Sequence, residues 1–172
     1  MNAPLLVALS DGLALRGWTV LRFNFRGIGR SEGRPSLGRE EVADAAGALS
    51  YLRADGAEVP VAIAGWSFGA AVAVRAATLD ENLHACIAIA PPIKERPGIT
   101  EALPRPVDLK VRAKLLVVCG DNDELVVPRD CRTWADYVAG AKHVALPGAN
   151  HFFWAKYDDL LQVVTEFLET SI

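Results

Sequence analysis

Cysteine is scarce in this 172-residue sequence: Cys86, Cys119 and Cys131 are all there is. So small and odd a number excludes a disulfide framework, and the spacing matches no zinc site. It fits a reducing, cytoplasmic setting. Basic clusters are also lacking. Lys and Arg number 18 against 21 Asp and Glu, a formal charge of −3 with a pI near 5.6, which argues against nucleic acid as a partner. There is no long hydrophobic run. The longest nearly apolar stretch, residues 61–77, is broken by Gly65, Ser67, Gly69 and Arg75. It divides into strand, turn and helix and is not a membrane span of about 20 apolar residues. No basic segment leads into an apolar core at the start, so no signal peptide is expected. Repeats and low-complexity tracts are absent. What is there is ordinary for a globular chain, 51% hydrophobic and 23% charged, and the length fits one domain, 1–172.

Helical and strand patterns alternate. Leu5, Leu6, Leu9 and Leu13 recur at helical spacing, with Gly17 as a stop. Residues 18–25 are rich in β-formers and predict a strand. Residues 27–38 hold four glycines, one proline and two serines, and predict a loop. Val42, Ala45, Ala46, Leu49 and Leu52 mark an amphipathic helix closed by Gly56. A buried strand at 59–64 runs into an apolar helix at 68–79. Short apolar runs at 85–90 and 114–119 have strand length. Pro128 opens a helix through Val138 that Gly140 ends, with Trp134, Tyr137 and Val138 as its core face. A strand at 143–146 and a final amphipathic helix around Leu160, Val163, Val164, Phe167 and Leu168 complete the pattern. Strands apolar on both faces, alternating with helices, predict an α/β fold of about five mostly parallel strands, doubly wound and covered on both faces. Residues 94–113 carry three prolines and no clear periodicity, and read as a short lid or a crossover.

Gly65-Trp66-Ser67-Phe68-Gly69 carries the most chemical information. It has the form G-x-S-x-G, with an apolar strand before it and a small-residue helix after it. A serine on so tight a turn is forced into a strained backbone and stands clear of the sheet. Gly65 and Gly69 are both expected to be glycine because a Cβ would clash there. The plainer alternative makes Ser67 the N-cap of the helix.

A nucleophilic serine needs a base, and the base needs an orienting acid. His84 stands at the entry to a strand and His143 inside one, where structural roles are expected. His151 lies in the loop Pro147-Gly148-Ala149-Asn150-His151-Phe152, after the last strand. Loops at the C-terminal edge of a parallel sheet are where ligand chemistry collects, which makes His151 the candidate base. The acid is sought in Gly120-Asp121-Asn122-Asp123-Glu124, after the strand at 114–119; either aspartate is within reach. Asp44 and Asp55 sit on or after a helix, and Asp158 and Asp159 open one, where the helix dipole accounts for them.

Taken together these motifs resemble the α/β-hydrolases, over nearly the whole chain. Residues 22–33 resemble the family's strand ending and following loop, Gly65–Gly69 its nucleophile elbow, Gly120-Asp121-Asn122-Asp123 its acid turn, and Asn150-His151-Phe152-Phe153 its histidine loop. The nearest likeness is to small, cap-poor bacterial hydrolases related to dienelactone hydrolases and serine-aminopeptidase-like esterases. The resemblance selects Asp123 over Asp121. It implies a serine hydrolase with Ser67 as nucleophile, His151 as base, Asp123 as acid, and the Phe68 N–H as an oxyanion donor. Trp66 and Phe152 would line the pocket. The partner would be a small-molecule ester, thioester or amide, with no metal or organic cofactor, and no nucleic acid or membrane involved.

One departure stands out. Such hydrolases carry three further strands and a glycine-rich loop ahead of the helix that Met1-Asn2-Ala3-Pro4 begins here. That loop supplies a second oxyanion donor, and one of those strands lies between the strands read at 18–25 and 59–64. Without it the two either close up or leave backbone groups unpaired. A second hypothesis follows: an α/β-hydrolase-fold protein that binds or scaffolds without efficient turnover. A dinucleotide loop at Gly27-Ile28-Gly29…Gly33 is disfavoured, because no helix opens on it. Arg26 and Arg30 are read as structural or solvated, and Cys119 as a buried small hydrophobe.

Overall fold

The computed structural model describes residues 3–54, 56 and 59–172; Met1, Asn2 and Asp55 of the readings above lie outside the described residues. The elements, in order, are α1 (Pro4–Ala14), α2 (Glu41–Leu52), β1 (Ala62–Trp66), α3 (Phe68–Leu79), β2 (Ala85–Ile89), β3 (Lys114–Gly120), α4 (Pro128–Asp136), β4 (Lys142–Leu146) and α5 (Tyr157–Ser171), with a 3-10 turn at Pro106–Asp108. The strands form one parallel sheet in the order β1-β2-β3-β4.

Alternation along the central strands builds two cores. Ile87, Ile89, Leu116 and Val118 point to one face, where Leu5 and Leu9 of α1 and Leu160, Val164 and Phe167 of α5 cover them. Cys86, Ala88, Leu115, Val117 and Cys119 point to the other, under Ala70, Ala73 and Val74 of α3 and Cys131 and Trp134 of α4. This is the expected α/β architecture with helices on both faces. Among the described residues no helix is long and apolar enough to cross a membrane.

Three expectations need correction. The sheet has four strands, not about five, and they follow chain order, so the winding never reverses among the described residues. Residues 18–25 are not a strand. β-Propensity alone does not make a ladder; a neighbouring strand must be within bonding distance. Here a slot of about 630 Å³ separates this segment from β1, lined on one side by residues 19–25 and on the other by residues 62–69. The two have not closed up. Phe23 and Phe25 pack edge to face at 5.2 Å, and Phe25 meets Phe68 at 5.6 Å. Finally, the helix expected through Val138 ends at Asp136; Trp134 is in the core, Tyr137 just past the end turns to solvent at 76% exposure, and Val138 is partly buried.

β1 also starts later than its apolar pattern predicts. Pro60 has no N–H to give to a ladder, and pairing with β2 begins at Ala62 opposite Ala85. Val61 C=O accepts from His84 N–H at 2.9 Å and Ser67 N–H donates to Ile89 C=O at 2.8 Å. Odd-numbered residues therefore face β2. By the parallel-ladder alternation, Ala62, Ala64 and Trp66 direct their N–H and C=O groups into the slot, and Ala64 is exposed.

The glycine-rich loop at 27–38 and Arg26 before it are held to the start of α2 by three acidic residues. Arg26 donates to Asp44 through its backbone N–H and its guanidinium, each at 2.9 Å, and also pairs with Glu40. The Glu41 carboxylate is buried and accepts from Ser36 N–H (2.7 Å), Ser36 Oγ–H (2.6 Å) and Gly38 N–H (2.9 Å). Arg26 thus has the structural role expected of it. No helix opens on Gly27–Gly33; the next one starts at Glu41.

Candidate active site

Three loops leave the C-terminal ends of β1, β3 and β4 on the same edge of the sheet, where parallel α/β sheets gather ligands. The first is a single residue. Ser67 lies between β1 and α3 with φ 52° and ψ −118°, a left-handed conformation that a serine holds only where the surroundings impose it. The constraint is the approach of helix to strand. A Cβ on Gly65 would lie 2.1 Å from the Gly69 carbonyl oxygen. The expectation for Gly69 itself is wrong: a Cβ there meets nothing within 4 Å. The crowding belongs to the Gly69 backbone, so glycine is required on the strand side only. Ser67 stands at the N-cap position of α3 but its side chain makes no cap hydrogen bond to the helix. Its Oγ stands 3.0 Å from His151 Nε2.

The second loop follows β3. Gly120 is pressed against the histidine loop: a Cβ there would lie 2.1 Å from the Ala149 carbonyl oxygen. Asp123 is buried, and both of its carboxylate oxygens are engaged. Oδ1 accepts from the N–H groups of Leu125 (2.8 Å) and Val126 (2.7 Å); Oδ2 lies 2.9 Å from His151 Nδ1. Asp121 has different work. Its carboxylate accepts from Gly148 N–H at 2.6 Å, tying the second loop to the third.

The third loop carries His151, almost wholly buried. Trp66 Nε1–H donates to its carbonyl oxygen at 3.0 Å, and the Glu124 carboxylate accepts its backbone N–H at 3.4 Å. The Trp66 and Phe152 rings lie 5.7 and 5.5 Å from the imidazole. With the proton on Nδ1 donated to Asp123, Nε2 is left as an acceptor for the Ser67 hydroxyl. Such an array can draw a proton from a hydroxyl and return it to another atom. The Phe68 N–H, first in α3, has no acceptor within the helix, and Phe68 lines the same cavity as Ser67 and His151.

Ser67, Asp123 and His151 are therefore brought together, with Trp66, Phe68 and Phe152 around them. The other histidines are not. His84 Nδ1 accepts from Val61 N–H at 3.3 Å. His143 Nε2 lies 3.1 Å from Cys119 Sγ; burial, helped by the charge of Arg132, lowers its pKa. All three cysteines are free and buried. Burial pushes the Cys86 thiol up to about 12. A hydrogen bond with Cys119, together with burial, raises Cys131 well above the usual thiol value. Among the described residues no group of three His, Cys, Asp or Glu could hold a metal ion. Sequence reasoning missed the second-rank contacts: Asp121 with Gly148, Glu124 with the His151 N–H, and Trp66 with the His151 carbonyl. Each joins loops far apart in the chain, and no local pattern announces them.

Comparison with known proteins gives a consistent picture. The chain is similar to XC6422 from Xanthomonas campestris, described as an α/β serine hydrolase without lid: 31% identity, 99% of this chain and 74% of that one covered, TM-score 0.86. It is similar to an α/β serine hydrolase homologue from Coxiella burnetii, at 28% identity, 98% and 77% coverage and TM-score 0.84. Among curated proteins, the uncharacterized protein RP471 of Rickettsia prowazekii is 29% identical over 163 residues, which are 90% of this chain and 66% of that protein. The present chain thus spans about two thirds of that relative's length. Residues 5–110, more than half of the sequence, match the family model described as serine aminopeptidase, S33, and the chain belongs to that family of α/β hydrolases.

Proposed function

We propose that this protein is a serine hydrolase that cleaves ester, thioester or small amide bonds of small molecules through an acyl-enzyme. Ser67 Oγ attacks the carbonyl carbon while His151 Nε2 takes its proton. The carbonyl oxygen, now negative, receives the Phe68 N–H. Collapse expels the leaving group, which takes the proton from His151, and leaves an ester on Ser67. Water then repeats the sequence, with His151 again as base, and frees the acid and the serine. Asp123 holds the imidazole tautomer and stabilises its protonated form. The observation that carries this reading is the unbroken chain Ser67 Oγ–His151 Nε2 (3.0 Å) and His151 Nδ1–Asp123 Oδ2 (2.9 Å). A fluorophosphonate probe tests it. The protein is expected to be labelled and Ser67→Ala not; undiminished labelling of Ser67→Ala overturns the assignment.

A second reading, a binding or scaffold protein with impaired turnover, is favoured by the open slot beside β1. Under this reading the isolated chain binds esters yet hydrolyses them at a rate that Ser67→Ala barely changes.

A further inference from the structure

Beside the Ser67–His151 pair the surface is aromatic, and the backbone is strained to keep it so. Phe152 and Trp154 are exposed by 37% and 54%. Their rings stack, with centroids 6.0 Å apart and planes at 26°. The strip continues inward to Trp66, 5.7 Å from Phe152, and outward to Tyr157, 6.3 Å from Trp154. Phe153, between the two exposed rings, is completely buried.

That in-and-out alternation is imposed by the backbone. Phe153 has φ 54° and Ala155 φ 58°, left-handed conformations that are unfavourable for residues with a Cβ, and for a bulky side chain most of all. Hydrogen bonds lock the loop in place. Asn150 Oδ1 accepts from Phe152 N–H (3.1 Å) and Trp154 N–H (3.3 Å), Asn150 C=O from Phe153 N–H (3.1 Å), and Phe153 C=O from Lys156 N–H (3.0 Å). Of the two strained positions, Phe153 is buried in the core, which offsets its strain, and its neighbours Phe152 and Trp154 are thereby turned toward water, where a ligand can meet them.

The strip is also uncharged. Lys156, the nearest cation in sequence, is committed to Asp159 at 3.0 Å. Glu124, which accepts from His151 N–H, adds a negative charge at the inner end. An anionic ligand gains nothing there, whereas a neutral planar one meets preordered aromatic faces without ordering a loop. The Phe152 ring lies 5.5 Å from the imidazole whose Nε2 is 3.0 Å from Ser67 Oγ, so the strip begins beside the Ser67–His151 pair and runs outward from it.

We propose that the strip formed by Phe152 and Trp154 is a specificity site for a neutral planar aromatic group carried next to the scissile bond. The proposal rests on the serine-hydrolase reading for its kinetics, but not for its binding. The kinetic arm compares benzyl acetate with cyclohexylmethyl acetate, which share an acyl group and have leaving alcohols of similar basicity. Benzyl acetate is expected to have the higher kcat/KM, by about twofold to tenfold, and the ratio to fall to about one in both Trp154→Ala and Trp154→Leu. The leucine variant keeps bulk and removes the π face. The binding arm uses Ser67→Ala and follows tryptophan fluorescence on titration with 2-naphthylmethanol and its decahydro counterpart. Tighter binding of the planar alcohol, lost in Ser67→Ala/Trp154→Leu, is expected. Selective binding without any ester hydrolysis would support the strip and refute the hydrolase reading. Hydrolysis with a wild-type ratio near one, a ratio that Trp154→Leu leaves intact, or equal binding of the two alcohols overturns the strip.

Discussion

Gly65 on β1 and Gly69 on α3 meet backbone to backbone: a Cβ on the first would sit 2.1 Å from the carbonyl oxygen of the second, whereas a Cβ on the second meets nothing within 4 Å. The two glycines of one motif are therefore not equivalent. Gly65→Ala is expected to destabilise the fold by about 3 kcal/mol or more, since neither backbone can yield without disturbing the sheet. Gly69→Ala is expected to raise stability by about 0.5–1 kcal/mol, the ordinary gain for alanine over glycine inside a helix. Urea denaturation of the two variants checks the contrast.

The acid turn contains a second inequality. Asp123 Oδ2 lies 2.9 Å from His151 Nδ1, whereas Asp121 accepts from the Gly148 N–H. Asp123→Asn lets the amide donate to Nδ1, favouring the wrong imidazole tautomer, and is expected to lower kcat by about 10³–10⁴. Asp121→Asn keeps an acceptor for the Gly148 N–H and is expected to stay within about tenfold of the parent. Turnover of one ester by both variants, with circular dichroism as the folding control, decides it. Equal losses would mean that the braced loop, not the oriented imidazole, limits the reaction.

Glu41 makes stability depend on acid. Burial pushes its carboxyl up, but hydrogen bonds from the Ser36 hydroxyl and from the Ser36 and Gly38 backbone outweigh that, and its pKa falls below the ordinary 4.5. A depressed carboxyl contributes its stability in full above the unfolded-state pKa, and loses it as the pH drops through the folded-state value. Asp44, lowered by its hydrogen bond to Arg26, acts in the same direction. Urea midpoints are expected to be flat above about pH 5.5 and to fall below about pH 4.5. Glu41→Gln should be less stable near neutrality by about 1–3 kcal/mol and show a shallower acid slope.

The free side of β1 predicts self-association. Ala62, Ala64 and Trp66 present N–H and C=O groups beside an apolar slot, and exposed edges of this kind pair with other chains. The weight-average molar mass from light scattering is expected to rise with protein concentration. Ala64→Pro removes a donor on the slot side, leaves the β2 ladder untouched and is expected to suppress the rise; an unchanged rise would place the association elsewhere.

Much of the fold was legible because the information was local. Pro4, Pro128 and the spacing of leucines mark helices whose bounds the structure places within a few residues of the pattern. The apolar runs at 85–90 and, after Lys114, at 115–119 become β2 and β3: they have strand length, and both faces of those strands are buried. Residues 18–25 defeated the same logic. Their composition is that of a strand, but a strand is a relation between two segments, and the slot holds β1 out of reach. Tyr137 failed for a similar reason: its spacing from Trp134 is that of one helical face, yet α4 ends at Asp136, before reaching it.

The sequence by itself determined the family, the tight turn that carries Ser67, and the loops in which Asp123 and His151 stand, because each is written in adjacent residues whose conformational demands are short-range. Only the tertiary structure decided that Asp121 braces the loop at Gly148, why Gly65 is indispensable and Gly69 is not, and that Trp154 lies outward against Phe152. Those outcomes depend on distances between residues dozens of positions apart, which are fixed by how the helices pack on the sheet and are encoded in no single stretch of the chain.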